Sequence, residues 1–596
     1  MKTRVILSLL FLLSFGSVRA ADLFIEAESF SNKGGWKVDQ QFMDLMGSPS
    51  YVYVRTYNWT SPWKKGEGPG KFSLSVGGKK MTSPLGAEGS AWMWQIAGKV
   101  SVKNLKTVIK LHDLTGFDGR CDAIYFTTEV GKMPPSDVKE LEAFRRQALG
   151  LPDEAPVAGE YDLVVVGAGI AGMSAAVSAA RLGCRVALIN DRTVVGGNNS
   201  SEIRVHLGGR IEEGTYKELG GLQKEFGPEK GGNAQPAEYY EDQKKMDWLA
   251  GEKNVSLFLN FRAIGVTKEG DKITSVIVKH IESGKELKFE APLFSDCTGD
   301  GTIGYLAGAD YRMGREGRDE YGESIAPEKA DKLTMGSSVQ WYSVDNKKSS
   351  PFPEFSYGVE FNDKNCEKVM MGEWTWETGM NFDQIKDFER IRDYGMLVVY
   401  SNWSYLKNRM KENDQYKNRK LGWVAYVAGK RESRRLMGDY ILKEDDITKN
   451  VSHEDASFAT TWSIDLHWQD PKNSEHFPGN EFKAVTKHIL IHPYAVPYRC
   501  LYSRNVENLF MAGRNISVTH VALGTVRVMR TTGMMGEVVG MAASLCKKYD
   551  VTPRGVYRSH LEDLKTLMKE GVNKKGLPNN QRYNEGGMLK DKPVVQ

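Results

Sequence analysis

The chain has 596 residues, 40% of them hydrophobic, and its 80 basic and 76 acidic side chains leave a formal net charge of only +4. This length accommodates roughly two to four domains. The near balance of charge gives no reason to expect nucleic acid or an anionic membrane as a partner.

Residues 1–20 read as a targeting segment rather than as structure. Lys2 and Arg4 make a positive start, and Ile6 to Leu13 form an apolar core too short to span a bilayer. Val18-Arg19-Ala20 puts small residues at the two positions a signal peptidase reads. The expectation is a periplasmic or secreted protein, mature from Ala21, with no membrane span. Residues 21–130 alternate in short stretches such as SYVYVRTY and KFSLSVGG, separated by glycine and proline turns. That spacing predicts an all-β sandwich. Its tryptophans, Trp36, Trp59, Trp63, Trp92 and Trp94, are either core or a stacking surface for sugars. Residues 131–160 read as a linker with one short amphipathic helix between prolines.

Tyr161 to Asp191 is the most informative stretch: YDLVVVGAGIAGMSAAVSAARLGCRVALIND. The run Leu163 to Val166 fits a parallel strand buried on both faces. Gly167-x-Gly169-x-x-Gly172 follows at once, then an alanine-rich helix, then a second strand from Arg185 to Ile189. The first glycine permits the tight turn, the second lets a pyrophosphate approach the backbone, and the third lets helix and strand pack closely. The first N–H groups of the helix face the phosphate. This predicts dinucleotide binding, against the plainer reading of an ordinary βαβ unit. The acidic residue expected for a ribose is displaced: Asn190 occupies its place and Asp191 follows. Either can serve.

Leu293 to Ala309, LFSDCTGDGTIGYLAGA, reads as another strand with glycines and a small-residue helix. Residues 310–490 lack this pattern and carry Trp341, Trp374, Trp376, Trp403, Trp423, Trp462 and Trp468. They are expected to form a substrate or cap domain, inserted between 161–309 and 491–550. Within it, Arg431 to Tyr440 predicts a helix with Arg431, Arg434 and Arg435 on adjoining faces. Leu509 to Met511 reads as a short buried strand, and a helix is predicted from Gly524 to about Leu545. A C-terminal helix and a polar tail, fraying beyond Pro578, complete residues 551–596. The six cysteines are widely spaced and suggest no disulfide framework; Cys184 and Cys297 read as small buried residues.

The segments VVGAGIAG, VVGGNNSSEIRVH, DCTGDG, GKRESRRLMGDYIL, VPYRCLYS and NLFMAGRNISVTHVALGTVRVMRT span Tyr161 to Ser544. As a set they resemble a bacterial FAD-dependent oxidoreductase family distantly related to fumarate reductase flavoproteins. The resemblance implies an α/β, glutathione-reductase-like FAD-binding Rossmann fold with an inserted cap. It implies FAD held by Gly167, Gly169, Ile170, Ala171 and Gly172, by Asn190 and Asp191, and by Gly196, Gly197 and Asn198. Thr298, Gly299, Gly513, Arg514, Gly524 and Thr525 complete the implied set, and the arginine-rich helix would pack toward the flavin. The opening IEAE and the closing CDAIYFT of residues 21–130 resemble carbohydrate-binding modules of the galactose-binding-like type. That likeness implies a structural calcium on Glu26, Glu28 and Asp122, since hard carboxylate oxygens suit the ion. Solvated strand carboxylates are the alternative.

With a flavin doing the redox step, the protein must place a substrate and manage a proton. Histidine suits that near neutral pH. His520, before the C-terminal helix, and His206, after GGNNSSEIRV, are the leading candidates; His492 also falls in a flavin-adjacent motif. Arg204, Arg499 and Arg527 could hold a carboxylate, a carbonyl oxygen or an anionic flavin. A helix beginning near Gly524-Thr525 would aim its positive end at the ring. The expected activity is hydride transfer from an alcohol carbon of a small molecule or carbohydrate, with an unknown electron acceptor. The alternatives are a reductase of an unsaturated acid and a non-catalytic glycan-binding protein on a flavin-fold scaffold.

Overall fold

The computed structural model describes residues 22–27, 37–41, 49–102, 106–579 and 589–590. The expected targeting segment and most of the expected tail lie outside these residues. The chain divides into two compact units, Met1–Leu151 and Pro152–Gln596.

In the first unit two antiparallel four-stranded sheets share one core. One takes Asp22–Glu26, Arg120–Thr127, Pro49–Tyr57 and Met93–Ser101 in that order; the other takes Lys37–Gln41, Lys106–Asp113, Phe72–Val76 and Lys79–Lys80. Period-two alternation sends Val52, Val54, Ile124 and Phe126 inward from the first sheet, and Leu74, Val76, Ile109 and Leu111 from the second. The expected helix forms as Val138–Ala148, and the Asp137 side chain caps it by accepting from Lys139 and Glu140 N–H groups. It is not a free linker, because Leu141 packs with Phe24, Tyr53, Trp94 and Tyr125. Trp59 and Trp94 are buried, Trp92 stacks on Tyr57 at 5.5 Å, and Trp36 lies outside the described residues.

The carboxylates expected to hold calcium meet protein cations instead. Arg145 bonds Asp122 at 2.5 Å and stands 3.4 Å from Glu26, while Arg55 reaches Asp122 at 2.6 Å. Guanidinium groups already on both carboxylates leave no ready oxygen cage. Among the described residues no His, Cys, Asp and Glu cluster could hold a metal, and Glu28 lies outside them.

The second unit is organised by a parallel sheet. Its strands are β1 (Leu163–Val166), β2 (Val186–Ile189), β3 (Val255–Phe258), β4 (Leu293–Asp296) and β5 (Leu509–Met511), in spatial order β3-β2-β1-β4-β5. Every residue of β1 is buried, which explains its continuous apolar run. Ile170–Arg181 is buried from Ile170 to Ala180, packed against the sheet strands and the long helix Met529–Tyr549. A Cβ on Gly536 would lie 2.1 Å from Ala171 O, and one on Gly540 would lie 2.5 Å from Ala175 O, so glycine sets how closely these helices approach. A second sheet, Phe261–Glu269, Lys272–His280 and Glu286–Glu290, is extended in parallel by Val157–Glu160, a stretch that the sequence had suggested was linker.

Between Asp310 and Leu490 short strands surround the long helix Phe388–Asn408. Trp341 packs edge-on against Trp376 and Trp403 at 5.3 and 5.7 Å, so these three are core. The arginine-rich segment is not helical. Gly429–Lys430 and Arg435–Leu436 are short strands joined by chain without regular secondary structure. The reason is electrostatic: Glu432 and Arg435 are fully buried and pair with each other, and Arg435 also takes Glu316 at 2.7 Å. Arg431 instead pairs toward Glu377, so successive side chains need partners on opposite sides of the chain. Among the described residues no helix is long and apolar enough to cross a membrane, and all six cysteines are free.

Candidate active site

The strand order reverses beside β1, whose neighbours are β2 and β4. In open α/β sheets that is where ligands bind, beyond the carboxyl ends of the strands. A cavity of about 650 Å³ lies there. Gly167 to Ala171 follow β1 into it, Asn190 to Arg192 follow β2, Cys297 to Asp300 follow β4, and Gly513 and Arg514 follow β5.

The three glycines do different jobs. Gly167 has φ +101°, and a Cβ there would sit 2.3 Å from Cys297 O. A Cβ on Gly172 would meet Gly167 O at 1.8 Å, so this glycine packs helix on strand and does not line the cavity. A Cβ on Gly169 would face the cavity, its nearest protein atom being Gly197 Cα at 3.9 Å. Gly169 also caps the helix without any side-chain bond, which leaves the first N–H groups to whatever enters. Gly196, Gly197 and Asn198 form the opposite lip, where Gly196 pairs with Gly169 as an isolated bridge.

Asn190 is used structurally. Its Oδ1 accepts from Ala168 N–H, and its Nδ2 donates to Arg192 O and Val194 O. Asp191 lines the cavity and is exposed, so it is the better placed of the two to meet a ribose. Thr298 bonds Asp296 at 2.7 Å and turns the chain toward Gly299 and Asp300. Asp300 pairs with Lys430 at 2.6 Å and with Arg514 at 2.7 Å. Burial alone would raise the Asp300 carboxyl, but these two cations hold it well below the usual carboxylate range. Arg514 Nε is buried without a hydrogen-bond partner. A bare backbone at Gly169, free helix N–H groups and this orphaned donor fit a dinucleotide pyrophosphate.

At the far end the wall comes from cap strands. Strand Ile464–Gln469 places Asp465 and His467 on one side, two residues apart. His467 Nδ1 lies 2.6 Å from Glu377 Oε2, and its Nε2 lies 2.9 Å from Arg527 Nη2. Arginine can only donate, so Nε2 accepts and Nδ1–H donates to the carboxylate. Burial would raise Glu377, but Arg431 and His467 hold it down at about 2. Arg527 also bonds Asp465 at 2.9 Å. Trp374 and Trp462 complete this wall, with the Trp374 ring 5.3 Å from His467.

The residues expected from sequence divide between cavity and interior. His206 lines the cavity, with Asn233 at 3.0 Å from its Nδ1; burial and the nearby Arg530 lower its basicity against that hydrogen bond. Arg527 lines it too. His520 does not: it is 3% exposed, and Glu432 stands 2.9 Å from its Nδ1. Arg204 stacks over Trp423 at 3.9 Å, and Arg499 is occupied by Asp455 at 2.9 Å; neither lines the cavity. Gly524 and Thr525 sit inside a short helix, His520–Val526, not at a helix start, and also lie off the cavity. Gly524 is there because a Cβ would lie 2.8 Å from Asp465 N. The helix that starts at the cavity is Met529–Tyr549, after a break at Arg527-Val528. Asp465, His467, Glu377 and Lys430 were not foreseen. The alternation in IDLHWQ was the available signal, since it sets Asp465 and His467 on one strand face.

The FAD dependent oxidoreductase family matches residues 162–568. The chain belongs to that family. It is an enzyme family, and FAD is the cofactor the cavity fits. No curated protein matches the chain. Similar solved structures include a geranylgeranyl bacteriochlorophyll reductase-like protein from Thermoplasma acidophilum, 13% identical, covering 69% of this chain and 83% of that one at a TM-score of 0.27. The myxobacterial chondrochloren halogenase is 11% identical, covering 69% and 79% at 0.29. The anhydrotetracycline hydroxylase of Streptomyces rimosus is 13% identical, covering 70% and 74% at 0.28. Likeness at this level does not bear on the reaction.

Proposed function

We propose that this flavoenzyme oxidises an alcohol carbon of a small polar molecule, with His467 taking the hydroxyl proton. A bound flavin supplies the acceptor for the two electrons that leave the carbon as hydride. The observation that carries the reading is His467 on the cavity wall, held from behind by the buried Glu377. Glu377 fixes the imidazole so that Nε2 keeps the lone pair that meets Arg527, and His467 and Arg527 both line the cavity. A substrate hydroxyl inserted at Nε2 replaces the Arg527 donor and gives up its proton there. Arg527 keeps its second partner, Asp465, and so stays in place to donate to the substrate oxygen. Glu377, held ionised, then stabilises the imidazolium.

The protein should purify yellow, and anaerobic addition of alcohol substrates should bleach it. His467→Gln should keep FAD while slowing that bleaching by roughly 10²–10⁴-fold. An unchanged rate would remove the proton role from His467. Export to the periplasm or medium belongs to the same proposal and is supported by the sequence pattern of residues 1–20.

A further inference from the structure

We infer that the substrate is a neutral, hydroxyl-rich ring and not a carboxylic acid; this rests on the reading above that the cap end of the cavity is the reacting site. Two arginines line that end, which at first suggests an anion. Neither has a free two-pronged edge, because both edges of the Arg527 guanidinium include Nη2, which is engaged. Arg431 stands 3.5 Å from Glu377 and donates to Trp374 O at 2.8 Å. Arg527 spends one terminal nitrogen on Asp465 and His467. Two guanidinium groups thus face two carboxylates, and these four charges cancel. Arg530, a third guanidinium, is 4% exposed and does not line the cavity.

An incoming carboxylate would need a free two-pronged guanidinium. Taking one here means evicting Glu377 or Asp465 and leaving a buried charge without its partner, which is strongly unfavourable. Hydroxyls avoid that conflict because each both donates and accepts. They can insert beside Asp465 Oδ1 and Arg527 Nε, two buried atoms that lack hydrogen-bond partners, without changing the charge balance. His488, 3.8 Å from Asp465 and also on the cavity, adds another group able to donate or accept. Trp374 and Trp462, both half-buried, offer flat apolar faces to the C–H side of a ring. Planar polar groups of cancelling charge beside aromatic faces match a pyranose.

Calorimetric titration of the FAD-loaded protein tests this without turnover. The probes are methyl β-glucopyranoside and methyl β-galactopyranoside, each against its uronate counterpart, with lactate as a simple hydroxy acid. A neutral glycoside should bind at least about tenfold tighter than its uronate. Trp374→Ala should weaken that binding about tenfold or more with FAD retained. Asp465→Asn frees Arg527 and should shift preference toward the uronate by about tenfold. Tighter binding of a uronate or lactate by the unmodified protein, or no saturable binding of either neutral glycoside, would overturn the inference. Binding of a glycoside without bleaching defeats the proposed oxidation but leaves the ring class standing. Bleaching by lactate but by neither glycoside does the reverse.

Discussion

The two ends of this one cavity are built differently. The dinucleotide end is mostly backbone: glycine turns, helix N–H groups and the carboxyl ends of parallel strands. The cap end is made of side chains: Asp465 and His467 from one strand, Arg431 and Arg527 from other segments, with Glu377 buried behind His467. A backbone site fails when a side chain intrudes. A side-chain site fails when one partner of a pair is removed.

The sharpest break should come at the backbone end. Gly169→Val fills the bare approach beside Gly197, and the protein should purify colourless while still folded by circular dichroism. Full FAD occupancy in that variant would disprove the phosphate assignment. Next is the contrast between two histidines. Where His467→Gln should cost roughly 10²–10⁴-fold in flavin reduction, His520→Ala should cost less than about tenfold. Its effect should fall on stability instead, by about 1–3 kcal/mol, because it strips a partner from the buried Glu432. A collapse of flavin reduction in His520→Ala with unchanged stability would reverse the two roles.

A smaller effect tests the helix pair behind the dinucleotide turn. Burial raises Glu537, inside Met529–Tyr549, from 4.5 to about 8. The folded state therefore holds a proton that the unfolded chain releases above about 4.5. The stability this group contributes is fully present below pH 4.5 and is lost as pH rises through 8. Glu537→Gln should flatten the fall of the unfolding midpoint between pH 5 and 8, as followed by thermal scans; an unaltered slope would show that Glu537 does not titrate there. The least effect is expected from deleting the first unit. A chain starting at Pro152 contains every residue of the cavity and should stay yellow. Loss of FAD on truncation would mean that the two units fold as one.

The amino-acid sequence alone determined the dinucleotide end. A turn of three glycines between a buried strand and an alanine-rich helix is a local requirement, so neighbouring residues suffice to state it, and the Gly167, Gly169 and Gly172 roles could be read directly. The same holds for the alternating strands of residues 49–127. What only the tertiary structure decided is the cap end and the placement of charged residues. Arg431 to Tyr440 has helical spacing, yet it is not helical: its charged side chains pair with Glu316, Glu377 and His520, which lie from tens of residues to over a hundred residues away in the chain. His520 falls in the right motif, yet Glu432 encloses it, while His467 reaches the cavity because Glu377 and Arg527 converge on it. Pairing of buried charges is a long-range condition: each group must find its opposite in space, and no local spacing records which one it finds.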